Sequence, residues 1–182
     1  MAKHITWNQV GHILLIQLFR IVWKTKVQQI EYIYTERFGQ MIAVSYSKKD
    51  FVSKMQSDDI TDVTVEDTND YYICIDSTGG PNSEPYFEQF HPNVLNLCFD
   101  DVAEDSTNWG EDIKAYYTAV APTLTQIQHI SNFLKDACGT IHVHCMKGES
   151  RSKAVADYVN NTRNTHDGKY AYTIIRDTLD EL

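Results

Sequence analysis

Two spacings of apolar positions run through the chain, one of two residues and one of three to four, and their alternation predicts the architecture. Residues 42–46 (Ile-Ala-Val-Ser-Tyr) read as a strand, and 47–55 read as a short helix with Phe51, Val52 and Met55 on one face. Residues 58–70 are acidic and weakly periodic, with a short strand expected at 63–65. The β-rich run 71–75 stops at Ser77-Thr78-Gly79-Gly80-Pro81, a loop continues to 92, and 94–99 is the next strand. After a polar loop at 104–110, residues 113–120 predict an extra helix. Pro122-Thr123 then opens a stronger one, with Leu124, Ile127, Ile130, Phe133, Leu134 and Ala137 at helical spacing and Gly139 after its end. Residues 141–144 form the last strand, 152–162 a helix with Ala154, Val155, Tyr158 and Val159 as its core stripe, and 170–182 a terminal helix. Strands alternating with helices predict an α/β single domain with a central, mainly parallel sheet flanked by helices.

The first forty residues differ in kind from the rest. They carry Lys3, Arg20, Lys24, Lys26 and Arg37 against Glu31 and Glu36, whereas the remainder is strongly acidic. Residues 10–23 are nearly all apolar but are interrupted by His12, Gln17 and Arg20, too short a run for a spanning helix and without a signal-peptide cleavage site. The expectation is an N-terminal extension at 1–40, helical and packed on a domain at 41–182. A membrane-surface or partner-binding helix at 10–23, or an atypical extension ahead of a native start at Met41, are the other readings.

A chain of 182 residues is long enough for one sizeable core. Its net charge of −9 argues against general nucleic-acid affinity, which needs basic surface, but leaves room for a local anion site. The four cysteines, Cys74, Cys98, Cys138 and Cys145, have no disulfide-framework spacing, and a working thiolate needs a reducing compartment, so the expected location is cytoplasmic.

One of those cysteines stands in the most informative segment, His144-Cys145-Met146-Lys147-Gly148-Glu149-Ser150-Arg151-Ser152. An apolar strand runs in and a helix runs out. A cysteine at such a turn meets unpaired N–H groups and the positive end of the helix dipole, which favour bound anions and an ionised sulfur. The arginine, six residues on, can grip two phosphate oxygens with its planar fork. Nucleophile and anion clamp thus come from one loop.

This segment resembles the signature of the cysteine-dependent protein tyrosine phosphatase superfamily, His-Cys-x2-Gly-x2-Arg-Ser/Thr, at His144, Cys145, Gly148, Arg151 and Ser152. Within it the chain is similar to the small dual-specificity-type enzymes and to bacterial and phage predicted tyrosine phosphatases, on Met41-Ile42-Ala43-Val44 and Leu97-Cys98-Phe99-Asp100-Asp101-Val102; the resemblance spans about residues 41–182. It implies phosphomonoester hydrolysis without metal or cofactor, with Cys145 as nucleophile and a phosphate-binding loop made by Met146, Lys147, Gly148, Glu149, Ser150 and Arg151. Arg151 would bind the phosphoryl oxygens and stabilise their charge in the transition state. Ser152 would donate to the sulfur and aid breakdown of the intermediate, a role compatible with an ordinary N-cap. His144 would orient the loop and support the thiolate through hydrogen bonds. Glu149 departs from the usual residue types at its position and would repel phosphate unless it points outward.

The general acid is expected at Asp101, after the strand, with Asp100 beside it and Asp112 of Trp109-Gly110-Glu111-Asp112 as alternatives. Cys138, His142, His144 and Cys145 also invite a metal reading, but neighbouring strand residues point to opposite faces and converge poorly. Cys98 is the cysteine to test as a disulfide partner of Cys145. Expected substrates are a phosphorylated protein or a small phosphomonoester. A nucleotide, RNA 5′-phosphate or inositol phosphate, for which Lys147 speaks, is the second enzymatic reading. A non-catalytic phosphate-binding module is a third, and a sulfurtransferase fits the flanking residues poorly.

Overall fold

A computed structural model describes residues 41–79, 83–104, 119–164 and 170–182. The expectations placed on the extension at 1–40, on Trp109-Gly110-Glu111-Asp112 and on most of the helix at 113–120 fall outside those residues, and Ala119 and Val120 are not helical. Residues 41–182 form one compact unit.

Its centre is a sheet of β1 (Ile42–Ser47), β2 (Tyr71–Asp76), β3 (Val94–Cys98) and β4 (Thr140–Cys145), in the order β1-β4-β2-β3 with every pair parallel. Four helices flank it: α1 (Lys48–Ser57), α2 (Leu124–Asp136), α3 (Arg151–Val159) and α4 (Ala171–Glu181). The α/β class and the parallel sheet are therefore as the apolar pattern predicts. β2 and β4, the two inner strands, are buried along almost their whole length, and β4 carries His142 and His144 on the face opposite Ile141 and Val143.

The period of two sorts side chains into two layers. Ile73, Ile75, Leu97, Ile141 and Val143 face α2, α3 and α4, meeting Ile127, Ile130, Val155 and Ile175. Tyr72, Cys74 and Val94 face the other way, toward Phe51 and Met55 of α1 and toward Phe87. Local chemistry sets the helix starts. Ser47 accepts from the Asp50 amide ahead of α1, and Thr123 with Gln126 forms a capping box ahead of α2. Gly139 has φ +78, and a Cβ there would lie 2.7 Å from the Asn69 carbonyl oxygen.

Two details differ from the pattern. No strand forms at 63–65: Val63 is 85 % exposed, Val65 is buried, and a 3₁₀ turn runs over Val65–Asp67. Leu124 begins α2 but is 58 % exposed, outside the stripe that the other apolar residues make. Among the described residues no helix is long and apolar enough to cross a membrane.

The long β2–β3 connection is pinned by a histidine. His91 places Nδ1 2.8 Å from Glu66 and Nε2 2.9 Å from Asp62, and Asp62 also accepts the Glu88 and Gln89 amides. The Glu66 bond and then the Asp62 bond raise the imidazole above its ordinary 6.5. A raised histidine stabilises the fold fully below about 6.5 and loses that contribution as pH climbs through the folded value. Urea midpoints should therefore fall from pH 6 to pH 9, and His91→Gln should flatten that fall. An unchanged slope in the variant would assign the pH dependence elsewhere.

Candidate active site

Because β4 lies between β1 and β2, the segment that leaves it emerges beyond the carboxyl end of an inner strand, where open parallel sheets bind ligands. Cys145 is the last residue of β4, and Arg151 is the first of α3. The turn between them is braced by β1 and by the first residue of α1. Lys48 donates its amide to the Met146 carbonyl at 3.3 Å, and the Ser45 hydroxyl donates to the Gly148 carbonyl at 2.9 Å. Gly148 has φ +77, and a Cβ on it would stand 2.6 Å from the Ser47 nitrogen. Only glycine lets the loop close on β1 in this way.

Two donors point at the sulfur. The Gly148 amide lies 3.3 Å from Cys145 Sγ, and the Ser152 hydroxyl lies 3.1 Å from it. Both bonds are strongest when the sulfur is ionised, and the start of α3 adds its dipole. Ser152 is inside α3, not its N-cap; that position is held by Ser150, which makes no side-chain cap bond. The Ser152 hydroxyl therefore lies against the sulfur, and the N-cap position weighed for it belongs to Ser150.

Arg151 is 2 % exposed, as is Cys145. Its Nη1 donates to the Phe99 carbonyl at 2.6 Å, the Ser77 hydroxyl at 3.2 Å and the Asp76 carbonyl at 3.3 Å, tying the ends of β2 and β3 to the loop. Its Nε–H is buried and has no hydrogen-bond partner among the described residues. An orphan N–H of this kind is uncommon in a native interior and invites an acceptor.

The two neighbouring aspartates separate cleanly. Asp100 accepts from the Thr78 hydroxyl, from the Thr78 amide at 3.1 Å and from the Val120 amide at 3.0 Å. Burial pushes its carboxyl up, but these bonds outweigh burial and leave it below the usual range. Asp100 is a staple between loops. Asp101 instead reaches the cysteine loop: Ser150 donates to its Oδ1 at 2.5 Å, and the Ala171 amide, at the start of α4, donates to the same oxygen at 3.3 Å. Oδ2 accepts no hydrogen bond among the described residues. Asp112 lies outside them.

His144 departs from its expected role. It is fully buried, its ring packs 4.4 Å from that of Phe51, and neither nitrogen has a hydrogen bond of ordinary geometry. Burial, helped by Lys48 and Arg151, drives it down to about 3, with the Cys145 backbone opposing. It supports the loop by packing as a neutral ring. His142 faces the same layer, stacked between Tyr46 and Tyr72. Cys145 faces the opposite one, and among the described residues no group of His, Cys, Asp or Glu is arranged to hold a metal. Cys98 is exposed at the end of β3, its thiol on the Ser77 carbonyl at 3.5 Å, while its neighbours Leu97 and Phe99 share the layer of Cys145. It is on the wrong face, two strands away, for a disulfide without rearrangement.

Lys147 and Glu149 are both exposed on the loop, whereas Met146 and Gly148 are half-buried and Ser150 is buried. Ser45 was not legible as a site residue: 107 positions separate it from Ser152, whose hydroxyl oxygen is 2.8 Å away. Strand register is what brings it there, Ser45 standing opposite Val143. Comparison with known proteins gives no match to a family model, to a curated protein or to a solved structure, so the site is read from its own geometry.

Proposed function

We propose that this chain is a cysteine-dependent phosphatase that hydrolyses phosphomonoesters through a phosphocysteine intermediate, without a metal. The observation that carries the reading is the sulfur of Cys145 at the β4–α3 junction, held by the Gly148 amide and the Ser152 hydroxyl. A buried structural thiol needs no such pair of donors.

In the first step Sγ attacks phosphorus, the bond to the leaving oxygen breaks, and Asp101 gives that oxygen a proton from Oδ2. In the second, water attacks phosphorus, Asp101 takes the water proton, and the P–S electron pair returns to sulfur. Arg151 directs its unpaired Nε–H to a phosphoryl oxygen as charge builds there. Glu149, being exposed, need not face the phosphate. Phosphotyrosine, alone or with phosphoserine and phosphothreonine, is the default substrate. Lys147, exposed on the same loop, favours a more anionic second class: a nucleotide, an RNA 5′-phosphate or an inositol phosphate.

The test is turnover of p-nitrophenyl phosphate in the presence of chelator. Phosphopeptide binding with no turnover would make the chain a binding module instead. Asp101→Asn, which keeps an Oδ1 acceptor, should lower kcat on phenyl phosphate about 100-fold, and lower it less on the better nitrophenol leaving group. Asp100→Asn should stay within a few-fold of wild type. Full activity in Asp101→Asn with collapse in Asp112→Asn would move the acid.

A further inference from the structure

Three contacts around the sulfur are one proton short when the sulfur is ionised. Ser45 Oγ is 2.9 Å from the Gly148 carbonyl and 2.8 Å from Ser152 Oγ, and Ser152 Oγ is 3.1 Å from Cys145 Sγ. Each hydroxyl has a single hydrogen. With the sulfur protonated, all three contacts fill in one direction: S–H to Ser152, Ser152 to Ser45, Ser45 to the Gly148 carbonyl. With the sulfur ionised, the direction reverses. Ser152 must donate to sulfur, and Ser45 then serves best by donating to Ser152, leaving the Gly148 carbonyl.

We propose that Ser45 is a positioning residue that acts through Ser152, reversing its hydrogen bond whenever the sulfur gains or loses its charge. The residue lies on β1, outside the cysteine loop, on the face that α3 covers. Its donation polarises the Ser152 hydroxyl, and chained hydrogen bonds of this kind strengthen one another. The charged end of the chain gains most, because a bond to an ionised acceptor is about twice as strong as a neutral one. In turnover, which rests on the phosphocysteine reading, the reversed chain receives the sulfur as it leaves phosphorus with the electron pair.

The relay can be tested without any phosphate chemistry. Iodoacetate alkylates the ionised sulfur, forming an S–C bond and expelling iodide, and mass spectrometry follows the rate at Cys145. Wild type, Ser45→Ala, Ser152→Ala and the double variant are compared at pH 6, at a temperature where melts show each to be folded. Ser45→Ala should slow alkylation about threefold, and it should add nothing in the Ser152→Ala background. Ser45→Thr, which keeps the hydroxyl, should alkylate at the wild-type rate. A wild-type rate in Ser45→Ala, a full Ser45→Ala effect without the Ser152 hydroxyl, or a threonine variant as slow as alanine would each overturn the proposal. A wild type that turns over no aryl phosphate sinks the phosphatase reading alone, since the alkylation coupling is still measurable.

Discussion

Replacing Cys145 by serine removes turnover of p-nitrophenyl phosphate, by on the order of 10⁴-fold or more, and leaves the melting temperature close to that of the wild type. The exchange is nearly isosteric in a site where the side chain is 2 % exposed, and the Gly148 amide and Ser152 hydroxyl can donate to oxygen as they do to sulfur. What the variant lacks is the thiol nucleophile, because an aliphatic hydroxyl keeps its proton at neutral pH and has no base beside it. His144 cannot fill that role: its ring is buried against Phe51, on the opposite face of β4. Acid-quenched wild type should carry a phosphoryl group on Cys145, and the variant should carry none. Turnover by Cys145→Ser at the wild-type rate would end the phosphocysteine mechanism.

The parts of this site that could be read from the sequence are those whose chemistry is local. The strand, the turn and the helix from Thr140 to Val159 follow one another within a short stretch, so spacing placed Cys145 and Arg151 together, and the resemblance added Gly148 and Ser152. The alternation of Ile141, His142, Val143 and His144 also foretold that the two histidines share a face. The misjudged residues are those whose partners come from elsewhere in the chain. His144 was expected to support the loop through hydrogen bonds; its ring lies against Phe51 from α1, and its polar contact is with the Cys145 backbone. A short strand was expected at 63–65, yet Asn93 of the later loop donates to the Val65 carbonyl, and among the described residues no strand pairs with this segment. Ser45 had no distinguishing mark, because a serine in a strand is ordinary until the register sets it under α3. Which of Asp100 and Asp101 contacts the cysteine loop likewise depends on Thr78, Val120, Ser150 and Ala171, residues that no spacing rule relates to them.

Arg151→Lys keeps the charge and should still lower kcat/KM about 1,000-fold, a loss of about 4 kcal/mol in transition-state stabilisation. The reason lies in how the guanidinium divides its donors. Nη1 is committed to the carbonyls of Phe99 and Asp76 and to the Ser77 hydroxyl, while Nε is buried with no partner. One planar group therefore braces the ends of β2 and β3 and leaves a rigid N–H unpaired among the described residues, which on the proposed mechanism meets a phosphoryl oxygen. A lysine has one nitrogen on a flexible stem and cannot occupy both places. If its ammonium takes the anion, the Phe99 and Asp76 carbonyls lose their donor, destabilising the fold by about 1–3 kcal/mol. If it braces the carbonyls, the anion loses its clamp. Urea melts and kinetics on the same preparation separate the two. A variant that keeps kcat/KM within threefold of wild type would mean that Arg151 serves only to tie the strand ends together, and the phosphate clamp would have to be sought elsewhere on the loop.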